Sequence, residues 1–211
     1  MAKARKRITI LTAMFFSASA LVAPSNAKEA EAQELRSADS FAGAYLAGGA
    51  AMRDFDFDAA SFYYDRALRF DPDNPDLQRE LMIARISNGE FDSALPLAES
   101  LMDVVEIERI SRLALGLDAL RKEQYELVPA MLILRQPNEI ESLITGIITG
   151  WSHFGAGNTD AALRTIADLS GPDWYTLFQT YHGALIADAD GRTEQAQELY
   201  DEAINNATGG S

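Results

Sequence analysis

Apolar and polar positions between residues 41 and 206 recur with a helical period, in short amphipathic segments separated by turn residues. No period-2 run bounded by turns interrupts them. The spacing predicts five helix pairs: 41–53 with 57–70, 75–87 with 91–102, 107–122 with 125–134, 139–154 with 159–169, and 173–188 with 193–206. The punctuation supports these limits. Asp39 and Ser40 are good N-cap residues for the first helix. Asn88-Gly89 is a turn signal, and Gly89, Gly157 and Gly191 fall at equivalent places where a left-handed residue would end a helix. Pro72 cannot continue a helix, Asn74 can cap the next one, and Pro75 suits its first position. Gly171-Pro172 stops the fourth pair in the same way. Pro96 and Pro129 lie early in second helices, where a delayed start or a kink is expected.

The segments repeat at a fixed step of 34 residues, through Phe41, Pro75, Arg109, Leu143 and Leu177. In this register one column reads Ala60, Ala94, Val128, Ala162, Ala196. Another reads Gly48, Met82, Gly116, Gly150, Ala184, and a third reads Phe57, Phe91, Tyr125, Thr159, Thr193. Small residues recur where two helices must touch, and the third column marks the start of each second helix. A period of this length marks a stacked array. Such arrays present long binding surfaces more often than a single catalytic pocket. The expected units are 41–74, 75–108, 109–142, 143–176 and 177–206.

Units of this length, with this distribution of small and aromatic residues, resemble tetratricopeptide repeats. The first unit is fullest, with Gly48, Phe57, Ala60, Tyr64, Ala67 and Pro72. The fifth has Ala184, Gly191, Ala196, Tyr200 and Ala203. Departures are Ala44 where the family favours tryptophan, Arg135 where the outer units have Ala67 and Ala203, and Arg85 and His153 where others have Ala51, Ala119 and Ala187. The resemblance implies an all-α, right-handed superhelical solenoid of about five helix-turn-helix units. It also implies that the first helix of each pair lines a concave groove for peptides or partner helices. Carried over, the groove comprises Tyr45, Arg53, Arg79, Leu113, Leu117, Ile147, Trp151, Phe154, Phe178 and Tyr181, with Met52, Ile83, Leu120 and Leu185 beside them. It becomes apolar and aromatic toward the C-terminal half, which suits an amphipathic helix or an extended apolar peptide. The alternative is that these side chains pack between neighbouring helices.

Composition narrows the partners. Of 211 residues, 18 are Lys or Arg and 32 are Asp or Glu, a formal charge of -14. Nucleic-acid binding needs clustered cations, and no basic stripe is found, so none is expected. The absence of cysteine removes disulfides and thiolate chemistry. The N-terminus has the three-part form of a secretory signal: Lys3, Arg5, Lys6 and Arg7, then an apolar run from Ile8 to Ala23, then Ser25 and Ala27 at cleavage spacing. The run falls short of the ~20 residues of a spanning helix. The expected product begins near Lys28, with signal 1–27, a polar mobile lead-in 28–40 and a flexible tail 207–211. Its compartment is periplasmic or secreted, as in the exported repeat proteins of Gram-negative bacteria that it resembles. An uncleaved anchor is the alternative.

Catalytic chemistry is not expected. Asp54, Asp56 and Asp58 alternate with Phe55 and Phe57, but no calcium-loop glycine and distal glutamate complete a site. They read as acids at a helix N-terminus. His153 and His182 fall at different places in their repeats and do not propose a metal pair. Residues 155–160 follow a helix and lack the Lys-Ser/Thr ending of a phosphate loop. No metal or cofactor is implied. The expected role is an exported scaffold or adaptor for a protein or peptide. The alternatives are an oligomerising module, a fragment of a longer array, and a non-catalytic subunit that positions substrate for an envelope enzyme.

Overall fold

The computed structural model describes residues 40–208. The signal segment, nearly all of the lead-in and residues 209–211 lie outside them. The described residues hold α-helices, one short 3-10 turn and no strand. In chain order these are α1 (Phe41–Arg53), α2 (Phe57–Leu68), α3 (Pro75–Ser87), α4 (Phe91–Leu101), α5 (Glu108–Arg121), the 3-10 turn Tyr125–Leu127, α6 (Val128–Met131), α7 (Glu139–Gly155), α8 (Thr159–Ala167), α9 (Tyr175–Ala189) and α10 (Thr193–Thr208). Helix α10 continues two residues into the expected tail.

Every pair closes through one turn geometry. The backbone N–H groups of Asp56, Glu90, Gln124, Asn158 and Arg192 donate to the carbonyls of Ala51, Arg85, Ala119, His153 and Ala187. This bond ends a helix when the residue before the donor is left-handed. That residue is Phe55, Gly89, Glu123, Gly157 or Gly191, with φ of 59°, 80°, 58°, 77° and 78°. Glycine accepts this conformation freely, whereas a side chain costs about 1 kcal/mol. Glu123→Gly is therefore expected to raise stability by up to about 1 kcal/mol in a urea titration. A clear fall would contradict the turn geometry.

Side-chain oxygens set several starts. Ser40 accepts from the Gly43 N–H, Asp56 from Ala59, Asn74 from Asp76 and Leu77, and Asn158 from Ala161. Asn138 and Glu141 form a reciprocal capping box at α7.

Equivalent positions meet inside the first four pairs. A Cβ on Gly48 would lie 2.8 Å from the Tyr64 ring, one on Gly116 2.6 Å from Leu132, and one on Gly150 2.6 Å from Ile166. In the second unit the sizes are exchanged, with Met82 and Ala98 in one buried cluster. The contact needs one large and one small partner, and either helix can supply either. Ala60, Ala94, Val128, Ala162 and Ala196 are all buried. The core is a chain of clusters that join α1–α2–α3, then α3–α4–α5, then α5–α6 with Ile148 of α7, then α7–α8–α9.

The third pair differs from expectation. Its second helix, expected over 125–134, is a 3-10 turn followed by four helical residues. Pro129 has no N–H to donate back to Tyr125, and the Val128 N–H takes that carbonyl instead. Beyond Met131 the chain leaves the helix, and the Arg135 N–H donates to the Glu108 carboxylate at 2.9 Å. Pro96, by contrast, is held inside α4. The arginines that replace small family residues are accommodated by polar bonds. Arg85 donates to the Ser93 carbonyl and to Asp65, and Arg135 pairs with Glu108.

Candidate interaction surface

The predicted groove residues fall at equivalent places on the first helices. Tyr45, Arg79, Leu113, Ile147 and Tyr181 form one column in steps of 34, on α1, α3, α5, α7 and α9. Leu117 and Trp151 share a second column, with Phe178 in a third and Phe154 in a fourth. Arg53 closes the C-terminal end of α1.

The surface has two chemical halves. At the N-terminal end, Tyr45 and Arg53 border a cleft with Tyr64 and Glu80. Arg79 lies against the same group, bonded to Glu80 at 2.7 Å and paired with Asp76. The Tyr64 phenol is pushed up to about 12, first by burial and then by the Glu80 charge. It therefore stays protonated at neutral pH. Arg53 is exposed and makes no ion pair among the described residues.

The C-terminal half is apolar. Ile110, Ile144 and Phe178 occupy one column on α5, α7 and α9, each about two-fifths exposed at 41%, 41% and 38%. Leu117 and Tyr181 stand beside them, also exposed. The equivalent residues of the first two units are Ala42 and Asp76. Sequence reasoning named Phe178 but omitted Ile110 and Ile144; the 34-residue step from Phe178 would have found both.

Not all the predicted residues face solvent. Ile147, Trp151 and Phe154 are half-buried and pack on the cluster of Ala162, Ile166 and Ile186. Leu113 is likewise half-buried, against Ala119, Val128 and Leu132. Trp151 meets Phe154 edge to face, and its indole N–H donates to His182 Nδ1 at 3.1 Å. Burial pushes the His182 imidazole below its usual range, which favours the neutral ring that can accept this bond. Trp151 and Phe154 thus serve the packing between the fourth and fifth units, while Phe178 and Tyr181 offer exposed aromatic surface.

Among the described residues no group of three His, Cys, Asp or Glu side chains converges as a metal site. The Asp54–Asp58 run forms the first turn between paired helices, with Asp56 capping α2. No helix among them is long and apolar enough to cross a membrane.

This architecture is the tetratricopeptide-repeat fold. Solved structures of that fold are similar along most of the chain. MamA from Desulfovibrio magneticus RS-1 matches with a TM-score of 0.63 at 13% identity, covering 80% of this chain and 95% of that one. A second MamA structure gives 0.63 at 14% identity, covering 77% and 89%. YrrB, described as a TPR protein with an unusual peptide-binding site, gives 0.60 at 16% identity, covering 86% and 91%. No family model and no curated protein matches the chain.

Proposed function

We propose that this protein is an exported, non-catalytic scaffold that binds a protein or peptide in the concave groove lined by its first helices. The observation that carries the reading is the exposed apolar column Ile110, Ile144 and Phe178, flanked by Leu117 and Tyr181. Soluble proteins seldom expose contiguous apolar surface without a partner for it. Aromatic and aliphatic anchors of this kind dominate interface energies. The peptide-binding description of YrrB is consistent with this use of the fold. Export rests on the N-terminal signal pattern, and cleavage after Ala27 would leave a more acidic product. The alternative, an oligomerising module, would use the end faces of the array rather than this face.

The test is capture from an envelope extract with tagged mature protein, beside a Phe178→Ala/Tyr181→Ala variant. These two residues are exposed, so their truncation leaves the core intact. The expected outcome is a partner retained by wild type and reduced at least about tenfold by the folded variant. Equal retention by both would contradict the reading.

A further inference from the structure

A second surface lies on the other side of α9. Positions 179 and 183 precede 181 and 185 by two residues, roughly 200° round a helix. There α8, α9 and α10 enclose an open cleft of about 430 Å³. Leu163, Ile166 and Leu199 wall it, Gly183 lies at its floor, and Arg164 and Glu202 stand at its rim.

The second unit shows what can fill this space, whereas the third and fourth units carry Ser111 with Leu115 and Thr145 with Thr149 at the positions equivalent to 179 and 183. Three units earlier, the residues equivalent to Gln179 and Gly183 are Leu77 and Leu81, exposed by only 2% and 1%. They fill the space between Tyr64 and Leu97, which correspond to Ile166 and Leu199. In the fifth unit both leucines are missing. Gln179 turns its amide onto the carbonyls of Ala167 and Leu169, at 3.0 and 2.8 Å. Gly183 has no side chain, and a Cβ there would sit 3.4 Å from Leu199. The walls of a two-leucine site remain without the leucines.

We propose that this cleft receives two aliphatic side chains one helical turn apart, presented by an amphipathic helix of a partner protein. The spacing is that of Leu77 and Leu81, which fill the same place in the second unit. The rim adds a charge preference. Arg164 and Glu202 are exposed on α8 and α10, and neither makes an ion pair among the described residues. A complementary helix sets an acid toward Arg164 and a base toward Glu202, which fixes its direction. This site is separate from the first-helix face and stands or falls independently of it.

The probe is a short labelled helical peptide of Ala, Glu and Lys, with two leucines four residues apart and a glutamate beside them. Its control has both leucines replaced by alanine. Both are titrated into the full mature chain by fluorescence anisotropy. The leucine peptide is expected to bind at least about tenfold more tightly, because two buried leucines distinguish it. Gln179→Leu with Gly183→Leu restores the second-unit residues and should abolish the difference in a variant that circular dichroism shows to be folded. Arg164→Glu leaves the cleft open and should weaken binding several-fold. Phe178→Ala/Tyr181→Ala should bind the peptide like wild type. Equal binding of the two peptides would overturn the proposal. So would wild-type affinity in the filled variant, or in Arg164→Glu should the filled variant fail to fold. Self-association of the wild type that Gly183→Leu abolishes would also overturn it, by making a second copy the occupant.

Discussion

Gly150→Leu is expected to destabilise the array by about 3 kcal/mol or more, the upper range for forcing a side chain into a filled core. Gly150 is the buried crossing point of α7 and α8. The first atom of any side chain there would lie 2.6 Å from Ile166 Cδ1 and 2.8 Å from its Cγ1, with the Ala162 carbonyl at 3.5 Å. Ile166 is packed with Ala162 and Ile186, so a side chain at 150 either pushes it toward the cleft that it walls with Leu199 or drives α7 away from α8. Either shift disturbs the packing of α8 against α7 and α9. Gly49→Ala provides the contrast. Its nearest neighbours would be Arg53 Nη1 and the Tyr64 hydroxyl, both at 3.7 Å. With no clash, the helix gains roughly 0.5–1 kcal/mol in propensity. The measurement is a urea midpoint for each variant. Similar losses for both would show that the crossing is looser than the packing implies.

Glu108→Ala is expected to cost about 3 kcal/mol, the low end of the range for breaking a buried ion pair from one side. Glu108 is 2% exposed at the start of α5. One carboxylate oxygen accepts the Arg135 N–H at 2.9 Å. The other faces the Arg135 and Arg112 guanidinium Nε atoms at 3.5 and 3.8 Å and accepts a hydrogen bond from neither. Removing the carboxylate strands the Arg135 N–H and leaves Arg112, itself largely buried, with only the exposed Asp103 for company. Arg135→Ala should cost under about 1 kcal/mol, because that side chain is half exposed. Glu108→Gln keeps an acceptor for the Arg135 N–H and should fall between the two. Hydrogen exchange places the effect: protection should drop first around α5 and the 132–138 connection, since each unit of an array depends mainly on its neighbours. Loss spread evenly through all five pairs would contradict this.

The sequence made the repeat legible because its signals are local. A left-handed turn, a cap and a small residue at a crossing each act within a few positions, and the 34-residue step showed them again and again. Phe55 and Glu123 were harder to see, since the same turn is made there without glycine. The broken helix at Val128–Met131 depends on two influences. Pro129 is visible in the sequence, but the bond from Arg135 to Glu108 spans 27 residues and has no local sign. The surface was legible as a set of columns, not as a division between core and solvent. Trp151 and Tyr181 are both large aromatics on first helices. Trp151 turns inward because Ala162 and His182 leave it room and an acceptor, whereas Tyr181 remains outside. That outcome depends on side chains from other helices.

The claim that the first helices form the binding face is tested most directly by photo-crosslinking in the intact protein. A benzophenone amino acid is placed at Tyr181, at Ile144 and, as a control, at Phe62, an exposed position on the second helix α2. The account predicts one shared adduct at Tyr181 and Ile144 and none at Phe62. An adduct at Phe62 with none at the other two would contradict it.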